Sequence, residues 1–225
     1  AEPGHPLFED QRRRFVSALD TLRTMGAHPG WVHTANSAAT VADAATWYDA
    51  VRPGLLLYGV TPPGFGVPLP LKPVMGLHSR VVAVKGVRPG EAVGYSARHL
   101  ADGPRTIAVV PAGYADGLDR RLARRGAVLV RGRRAPIVGS VCMDMLMVDV
   151  TGLTAVPGDE VVFIGRQEHD EITVAEMAAW INTIPYEVWC RIGARIERVY
   201  NRPAQSPAGT PPTPRSGGTP PGTRT

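Results

Sequence analysis

Short strand-like runs separated by turn residues fill the middle of this chain and constrain its fold more than any other feature. The runs are rich in β-branched and aliphatic residues, and dipeptides such as Pro89-Gly90 and Pro157-Gly158 stand between them. Strands that alternate closely with tight turns are typical of antiparallel pairing. We therefore predict a mostly antiparallel β domain over residues 70–200, with strands at 79–87, 91–95, 106–111, 127–131, 136–141, 146–150 and 160–164.

The first 65 residues follow a different pattern. Apolar residues recur at helical spacing over 7–25, a strand is expected at 31–33, an alanine-rich helix follows, and a second strand is expected at 55–58. Helix and strand alternate in this way in a βα barrel, although closing such a barrel needs eight strands. The predicted fold class is therefore α/β: the end of a partial (β/α)8 TIM barrel over 1–65, followed by the β domain.

The sequence pattern changes near residue 173 and again near residue 201. A helical region interrupted by Pro185 is expected over 173–192, and a last strand over 195–200. Proline, glycine, serine and threonine then dominate without apolar periodicity. We therefore predict a disordered tail over 201–225.

Composition argues against several classes of protein. The net charge of +5 comes mainly from arginine, and no aromatic-basic motif accompanies it, so we expect no nucleic-acid binding. Two cysteines do not make a disulfide framework, which favours a reduced, cytoplasmic protein. No apolar run reaches the roughly 18 residues of a membrane span, and no metal role is expected for His33.

Tyr114 is the candidate catalytic residue. It stands between Gly113 and Ala115 at the end of an apolar strand, where the backbone can approach a ligand closely. To act as a base it must lose its proton, which requires positive charge nearby. A half-buried structural tyrosine in a glycine-rich turn is the alternative.

Two segments of the N-terminal part carry candidate cofactor contacts. Ser37 follows the first predicted strand, so it is a plausible helix N-cap whose hydroxyl can also reach a phosphate. Arg52 opens the other segment, in which the backbone N–H groups of Gly54 and Leu55 are candidate phosphate donors. Without further information, Arg52 could equally be a surface arginine in a turn.

Two more candidates lie in the β domain. Met143 belongs to the segment Gly139-Ser140-Val141-Cys142-Met143-Asp144, where a methionine packed in the core is the alternative. Tyr200 ends the segment Arg195-Ile196-Glu197-Arg198-Val199-Tyr200, which would need no function by itself.

Taken in order, these motifs resemble the alanine racemases, which depend on pyridoxal 5'-phosphate and supply D-alanine for peptidoglycan. The resemblance runs from about residue 2 to residue 200. It implies that Tyr114 is one of two catalytic bases and that Met143 meets the alanine substrate. It also implies a head-to-tail homodimer, in which one subunit's barrel and the other subunit's β domain share a pocket. The implied cofactor contacts are Ser37, Arg52, Gly54, Leu55 and Tyr200.

The chain departs from that family in specific places. The second base of the family is a lysine that forms a Schiff base with the cofactor, but the only lysines here, Lys72 and Lys85, stand outside its motif. Ser140, Met145 and Glu197 replace a usual arginine, glutamine and proline. We therefore expect the latter part of a longer racemase, inactive by itself. The alternative is a non-catalytic remnant, or a β domain that binds a partner or regulates a racemase.

Overall fold

The computed structural model describes residues 5–62, 64–65, 69–97 and 99–201. The chain divides into two compact units, Ala1–Arg195 and Ile196–Thr225. The tail predicted to be disordered, 201–225, lies outside the described residues except for Asn201. The domain limits 1–65 and 70–200 stay predictions.

The first helix forms where its apolar spacing predicts. Helix α1 spans Pro6–Thr24, and proline suits its first turn because the missing N–H would have no partner there. The N-cap is His5, whose Nδ1 accepts the Leu7 N–H at 3.2 Å. Gly26, with a φ of +76°, follows the last turn in the left-handed conformation that glycine adopts without strain.

The strands predicted at 31–33 and 55–58 are wrong. Residues 55–57 belong to a short helix, α3 (Gly54–Leu57), and 31–33 form no strand. A strand needs a neighbour for its backbone N–H and C=O groups. In the described part of this segment the only such pairing is an isolated parallel bridge between Asn36 and Arg52.

The alanine-rich helix is also shorter than predicted. Helix α2 covers Ser37–Ala42, and a 3₁₀ turn, Ala44–Thr46, follows it. Asp43 separates them: its backbone is extended, and its side chain accepts the Ala45 N–H at 2.9 Å. Aspartate competes with helix continuation in this way because its short side chain bonds to nearby backbone.

The β domain confirms the predicted antiparallel architecture. Its eight strands form one sheet in the order β1-β7-β4-β5-β6-β3-β2, with β8 paired to β7. Every pair of named strands is antiparallel. The strands are β1 Leu77–Arg80, β2 Ala83–Val87, β3 Arg105–Val110, β4 Ala127–Val130, β5 Arg133–Val138, β6 Leu146–Asp149, β7 Glu160–Gln167 and β8 Asp170–Ile172.

Two strand predictions need correction. The single run at 79–87 is split between β1 and β2, because its middle bonds to different neighbours: the Val81 N–H donates to Asp159 and the Val82 N–H to Val109, both at 2.9 Å. The run at 91–95 forms only an isolated bridge between Ala92 and Leu100.

Two helices follow the sheet, and one of them packs against a cluster of its core. Helix α4 spans Val174–Trp180 and α5 spans Pro185–Arg191, so the helical region is interrupted before Pro185, which is the first residue of α5. On the sheet, Leu129, Val162 and Ile172 form a fully buried cluster, and Trp180 packs against it. Residues 195–200, predicted as a final strand, form none.

The pairing of β3 with β6 sets the position of the candidate site. These strands are antiparallel, with Val110 opposite Leu146, so the end of β3 lies beside the start of β6. The segment after β3 contains Tyr114, and the segment before β6 contains Met143. The fold therefore brings two of the predicted site residues to one edge of the sheet.

A network of charges secures the chain that follows Tyr114. Asp119, only 9% exposed at its side chain, pairs with Arg121 at 2.8 Å and also with Arg191 on α5. The hydrogen bond from Arg121, reinforced by the one from Arg191, holds the pKa of Asp119 well below its usual range. This network fastens α5 to the segment after Tyr114.

We expect Asp119→Asn to lower stability at neutral pH by about 1–3 kcal/mol and to flatten its dependence on pH. A depressed folded-state pKa stabilises the fold above the unfolded pKa of about 3.9, and that stability is lost as the pH falls further. Urea unfolding near neutral pH and in acid would measure both effects, with the exposed Asp20→Asn as control. If the parent protein and Asp119→Asn lost the same amount of stability in acid, the stabilising role of the Asp119 carboxylate would be contradicted.

Candidate functional site

Tyr114 begins a 3₁₀ turn, Tyr114–Asp116, that local hydrogen bonds hold in place. The buried Asp116 carboxylate accepts the Gly113 N–H at 2.8 Å. Gly117 ends the turn with a φ of +104°, a left-handed conformation that glycine adopts easily. The Tyr114 side chain stays 43% exposed, so a well-fixed backbone presents it at the surface.

The segment that carries Met143 packs directly against this turn. The Tyr114 N–H donates to the Cys142 carbonyl at 2.9 Å, and the Ala115 N–H donates to the Met143 carbonyl at 3.0 Å. A Cβ atom at Gly113 would lie 2.3 Å from the Met143 carbonyl oxygen, so this approach requires glycine. Met143 is 54% exposed, which rules out the alternative that it is a core residue.

Arg195 joins the two segments. Its Nε lies 2.8 Å from Asp116 Oδ1, and its Nη2 lies 2.7 Å from Asp144 Oδ1. The hydrogen bond to Asp144, together with the charge of Asp116, raises the pKa of Arg195. Arg195 and its two carboxylate partners were not predicted from the sequence. The available signals were a carboxylate close after Tyr114, a second carboxylate next to Met143, and an arginine in the last motif.

Two of the departures from the resembling family lie beside Met143. The Met145 carbonyl accepts the Cys142 N–H at 2.9 Å, and the Cys142 thiol lies 3.6 Å from the Ser140 carbonyl oxygen. Met145 is exposed and Ser140 is half-buried. Asp144, which pairs with Arg195, stands between Met143 and Met145, so apolar, neutral and charged side chains all occur beside Met143.

Ser37 lies in a second cluster, in the N-terminal part. The prediction that it caps α2 is wrong: Asn36 is the N-cap, with extended backbone and Oδ1 accepting the Ala39 N–H at 3.0 Å. Ser37, only 3% exposed, instead accepts the Leu55 N–H at 3.0 Å. Because its oxygen is the acceptor, its hydroxyl proton stays available to donate.

Arg52 stands next to Ser37 in the same cluster. Its backbone N–H donates to the Ala35 carbonyl at 2.8 Å, beside the bridge to Asn36. Its Nη1 lies 2.8 Å from His33 Nδ1. Arginine only donates, so Nδ1 accepts and the imidazole proton lies on Nε2. Arg52 is thereby oriented, with its other N–H groups left to donate elsewhere.

The predicted residues thus fall into two groups. Ser37, Arg52 and Leu55, with Gly54 at the start of α3, form one cluster, whereas Tyr114 and Met143 form the other. Over the described ranges, no hydrogen bond or ion pair joins the two. Tyr200 belongs to the unit Ile196–Thr225, and its cofactor contact stays a prediction.

Neither a cluster of metal ligands nor a membrane-spanning helix occurs among the described residues. Among them, no three histidine, cysteine, aspartate or glutamate side chains gather closely enough to hold a metal ion. In that part of the chain, no helix combines the length and apolar character that crossing a bilayer requires.

Comparison with known proteins identifies the family. Residues 74–200 match the alanine racemase C-terminal domain, and residues 1–62 match the alanine racemase N-terminal domain. Alanine racemase from Geobacter sulfurreducens is 45% identical over 206 residues, which cover 90% of this chain and 54% of the relative. The Thermobifida fusca alanine racemase is 42% identical over 200 residues, covering 88% of this chain and 53% of the relative.

Comparison with solved structures identifies the same family. Alanine racemase from Streptomyces lavendulae superposes with a TM-score of 0.86 at 40% identity, over 90% of this chain and 54% of that one. The Bartonella henselae alanine racemase, which carries covalently bound pyridoxal phosphate, gives a TM-score of 0.80 at 33% identity, over 89% and 54%. The chain spans about half the length of the relatives it matches. By its sequence and its fold, this chain belongs to the alanine racemase family.

Proposed function

We propose that this chain supplies one catalytic base and part of the cofactor site of a racemase that interconverts L-alanine and D-alanine. The observation that carries the proposal is the exposed Tyr114 on its hydrogen-bonded turn, beside the exposed Met143. At 43% exposure the Tyr114 side chain can reach a substrate, as a base must. Family membership supports the same role.

The N-terminal cluster fits pyridoxal 5'-phosphate. Ser37 has a hydroxyl proton to donate to a phosphate, and Gly54, as the first residue of α3, has an N–H group without an acceptor inside that helix. Leu55, whose N–H already donates to Ser37, contributes mainly by fixing that hydroxyl. Arg52 can only donate hydrogen bonds, so it suits a contact with the pyridine nitrogen, which accepts one. Tyr200 completes the proposed set.

The cofactor supplies one part of the chemistry: when bound, it withdraws electrons from the amino acid and makes the Cα proton easier to remove. Arg52 would hold the ring nitrogen as a donor only, which would leave that nitrogen unprotonated and the withdrawal weak. Weak withdrawal favours prompt return of the proton, as a racemase requires. His33 holds the Arg52 side chain for this contact.

Tyr114 performs the proton transfer on one face of the substrate. Its phenolate oxygen takes the Cα proton of L-alanine, and in the reverse direction its hydroxyl returns a proton to the same face. A second base must act on the opposite face, which in the resembling family is a lysine. Neither Lys72 nor Lys85 stands in that motif, so this chain alone is proposed to be inactive.

The complete pocket is proposed to form in a head-to-tail homodimer. The Ser37–Arg52 cluster, at the end of a βα barrel, then serves one pocket, and Tyr114 and Met143 serve the partner's. The lack of any hydrogen bond or ion pair between the two clusters in the described residues supports this division. The setting we propose is the cytoplasm, with D-alanine used for peptidoglycan.

The first test is the intact mass and alanine racemisation of the protein isolated from its own cells. A mass well above 24.0 kDa with racemisation that depends on pyridoxal phosphate would support the proposal. A mass near 24.0 kDa without racemisation would overturn it and favour a partner-binding or regulatory domain.

Tyr114→Phe removes the proposed base and little else. In the active protein, we expect exchange of the L-alanine Cα proton with deuterated solvent to slow by about 10²–10⁴-fold, measured by NMR. Tyr48→Phe is the matched control, because Tyr48 makes a ring contact with Phe15 that the substitution preserves. Parent-like exchange in Tyr114→Phe would rule out its role as a base.

Two variants separate the proposed contacts of the cofactor. Ser37→Ala should weaken binding of pyridoxal phosphate but not of pyridoxal, which lacks the phosphate. Arg52→Gln should weaken binding of both by roughly tenfold or more, because a charge-assisted hydrogen bond to the ring is lost. Absorbance titration of the active protein measures both ligands. Equal losses for both ligands in Ser37→Ala would contradict a phosphate contact.

A further inference from the structure

Arg195 holds together the two segments that present Tyr114 and Met143. Its Nε and Nη2 lie on the same edge of the guanidinium, a fork that commonly grips one carboxylate. Here Nη2 donates to Asp144 Oδ1 at 2.7 Å, and Nε forms an ion pair with Asp116 Oδ1, on a different segment, at 2.8 Å. Arg195 therefore bridges the turn after β3 and the segment before β6.

The Asp116 carboxylate transmits this contact to Tyr114. Its Oδ1 binds Arg195, and its Oδ2 accepts the N–H of Gly113, the residue directly before Tyr114. One carboxylate cannot rotate away from either partner without disturbing the other contact. Fixing Asp116 therefore fixes the start of the Tyr114 turn.

The chain leading to Arg195 also packs against the same turn. A Cβ atom at Gly117 would lie 2.3 Å from the Arg191 carbonyl oxygen, so the backbones are in close contact there. On the opposite side, a Cβ atom at Gly113 would lie 2.3 Å from the Met143 carbonyl oxygen. The Tyr114 turn is thus held between the end of α5 and the Met143 segment, and Arg195 spans both contacts.

Exposure differs between the two partners of Arg195. The Arg195 side chain is 52% exposed, and Asp144 is exposed to a similar degree. The exposed pair with Asp144 adds little to global stability, whereas Asp116 is only 9% exposed, so its pair with Arg195 also stabilises the turn. What the bridge does supply is a fixed geometry between two segments that both carry site residues.

We propose that Arg195 is a positioning residue for Tyr114. By binding Asp116 and Asp144 together, it fixes the Tyr114 turn against the Met143 segment and so sets where the phenol meets the substrate. The identity of Tyr114 as the base rests on the proposed function, whereas the bridge itself is testable without any substrate.

The first test is amide hydrogen exchange on the ligand-free full chain. In Arg195→Gln, we expect exchange at Gly113, Tyr114 and Ala115 to quicken by about tenfold, with β4 amides unchanged. Arg195→Lys should restore part of the protection, since an ammonium keeps the charge but lacks the planar fork. The control is Arg133→Gln, an exposed arginine on β5 with no ion pair among the described residues. Unchanged exchange in Arg195→Gln, or faster exchange throughout the sheet, would overturn the positioning role.

The second test measures racemisation of L-alanine by the active protein, in which Tyr114→Phe is expected to slow Cα proton exchange by about 10²–10⁴-fold. Arg195→Gln should lower kcat for L-alanine by about tenfold to a hundredfold, with a smaller change in KM, because the base is displaced while cofactor contacts are kept. Asp144→Asn should lower kcat in the same direction without changing Arg195 itself. Parent-like kcat in both variants would overturn the proposal.

The two tests fail in different ways. Racemisation that needs Tyr114 but not Arg195 would defeat the positioning role and leave the proposed function standing. Local loosening of the turn in a protein that never racemises alanine would defeat the proposed function, and with it the catalytic purpose of the bridge.

Discussion

The candidate site depends above all on the antiparallel pairing of β3 with β6. Val110 stands opposite Leu146, so the chain leaves β3 and enters β6 at the same edge of the sheet. The turns at this edge can then exchange backbone hydrogen bonds, as Tyr114 and Ala115 do with Cys142 and Met143. A different strand register would separate the two proposed active-site segments, because side chains and carbonyls would no longer face each other.

Close backbone contact makes that edge rigid. Gly113 permits an approach to the Met143 carbonyl that no side chain would allow. The Asp116 carboxylate then fills two roles, accepting a backbone N–H inside the turn and pairing with Arg195 outside it. A proposed base on such a turn loses little conformational freedom when it acts, because its backbone is already ordered.

The N-terminal cluster has a weaker framework. Three contacts bring Ser37, Arg52 and Leu55 together. They are one parallel bridge, one serine–amide hydrogen bond and one arginine–histidine contact. The described residues of this segment contain no named strand, so its backbone lacks the ladder that supports the other site. In the proposed dimer this cluster faces a pocket to which other parts of the enzyme contribute.

The sequence by itself determined the antiparallel class of the β domain, helices α1, α4 and α5, and the residues that resemble those of the family, because periodicity, turn residues and short motifs are local signals. It could not determine which neighbours a strand segment finds. The run at 79–87 divides between two partners, 91–95 finds only a bridge, and 55–57 becomes helical.

The sequence also assigned the α2 cap to Ser37, whereas in the tertiary structure Ser37 bonds to Leu55 and Asn36 is the cap. Arg195 shows the same limit, because its partners Asp116 and Asp144 stand far before it in the sequence. Only the folded chain brings those charges together, because contacts between distant residues depend on strand order and register.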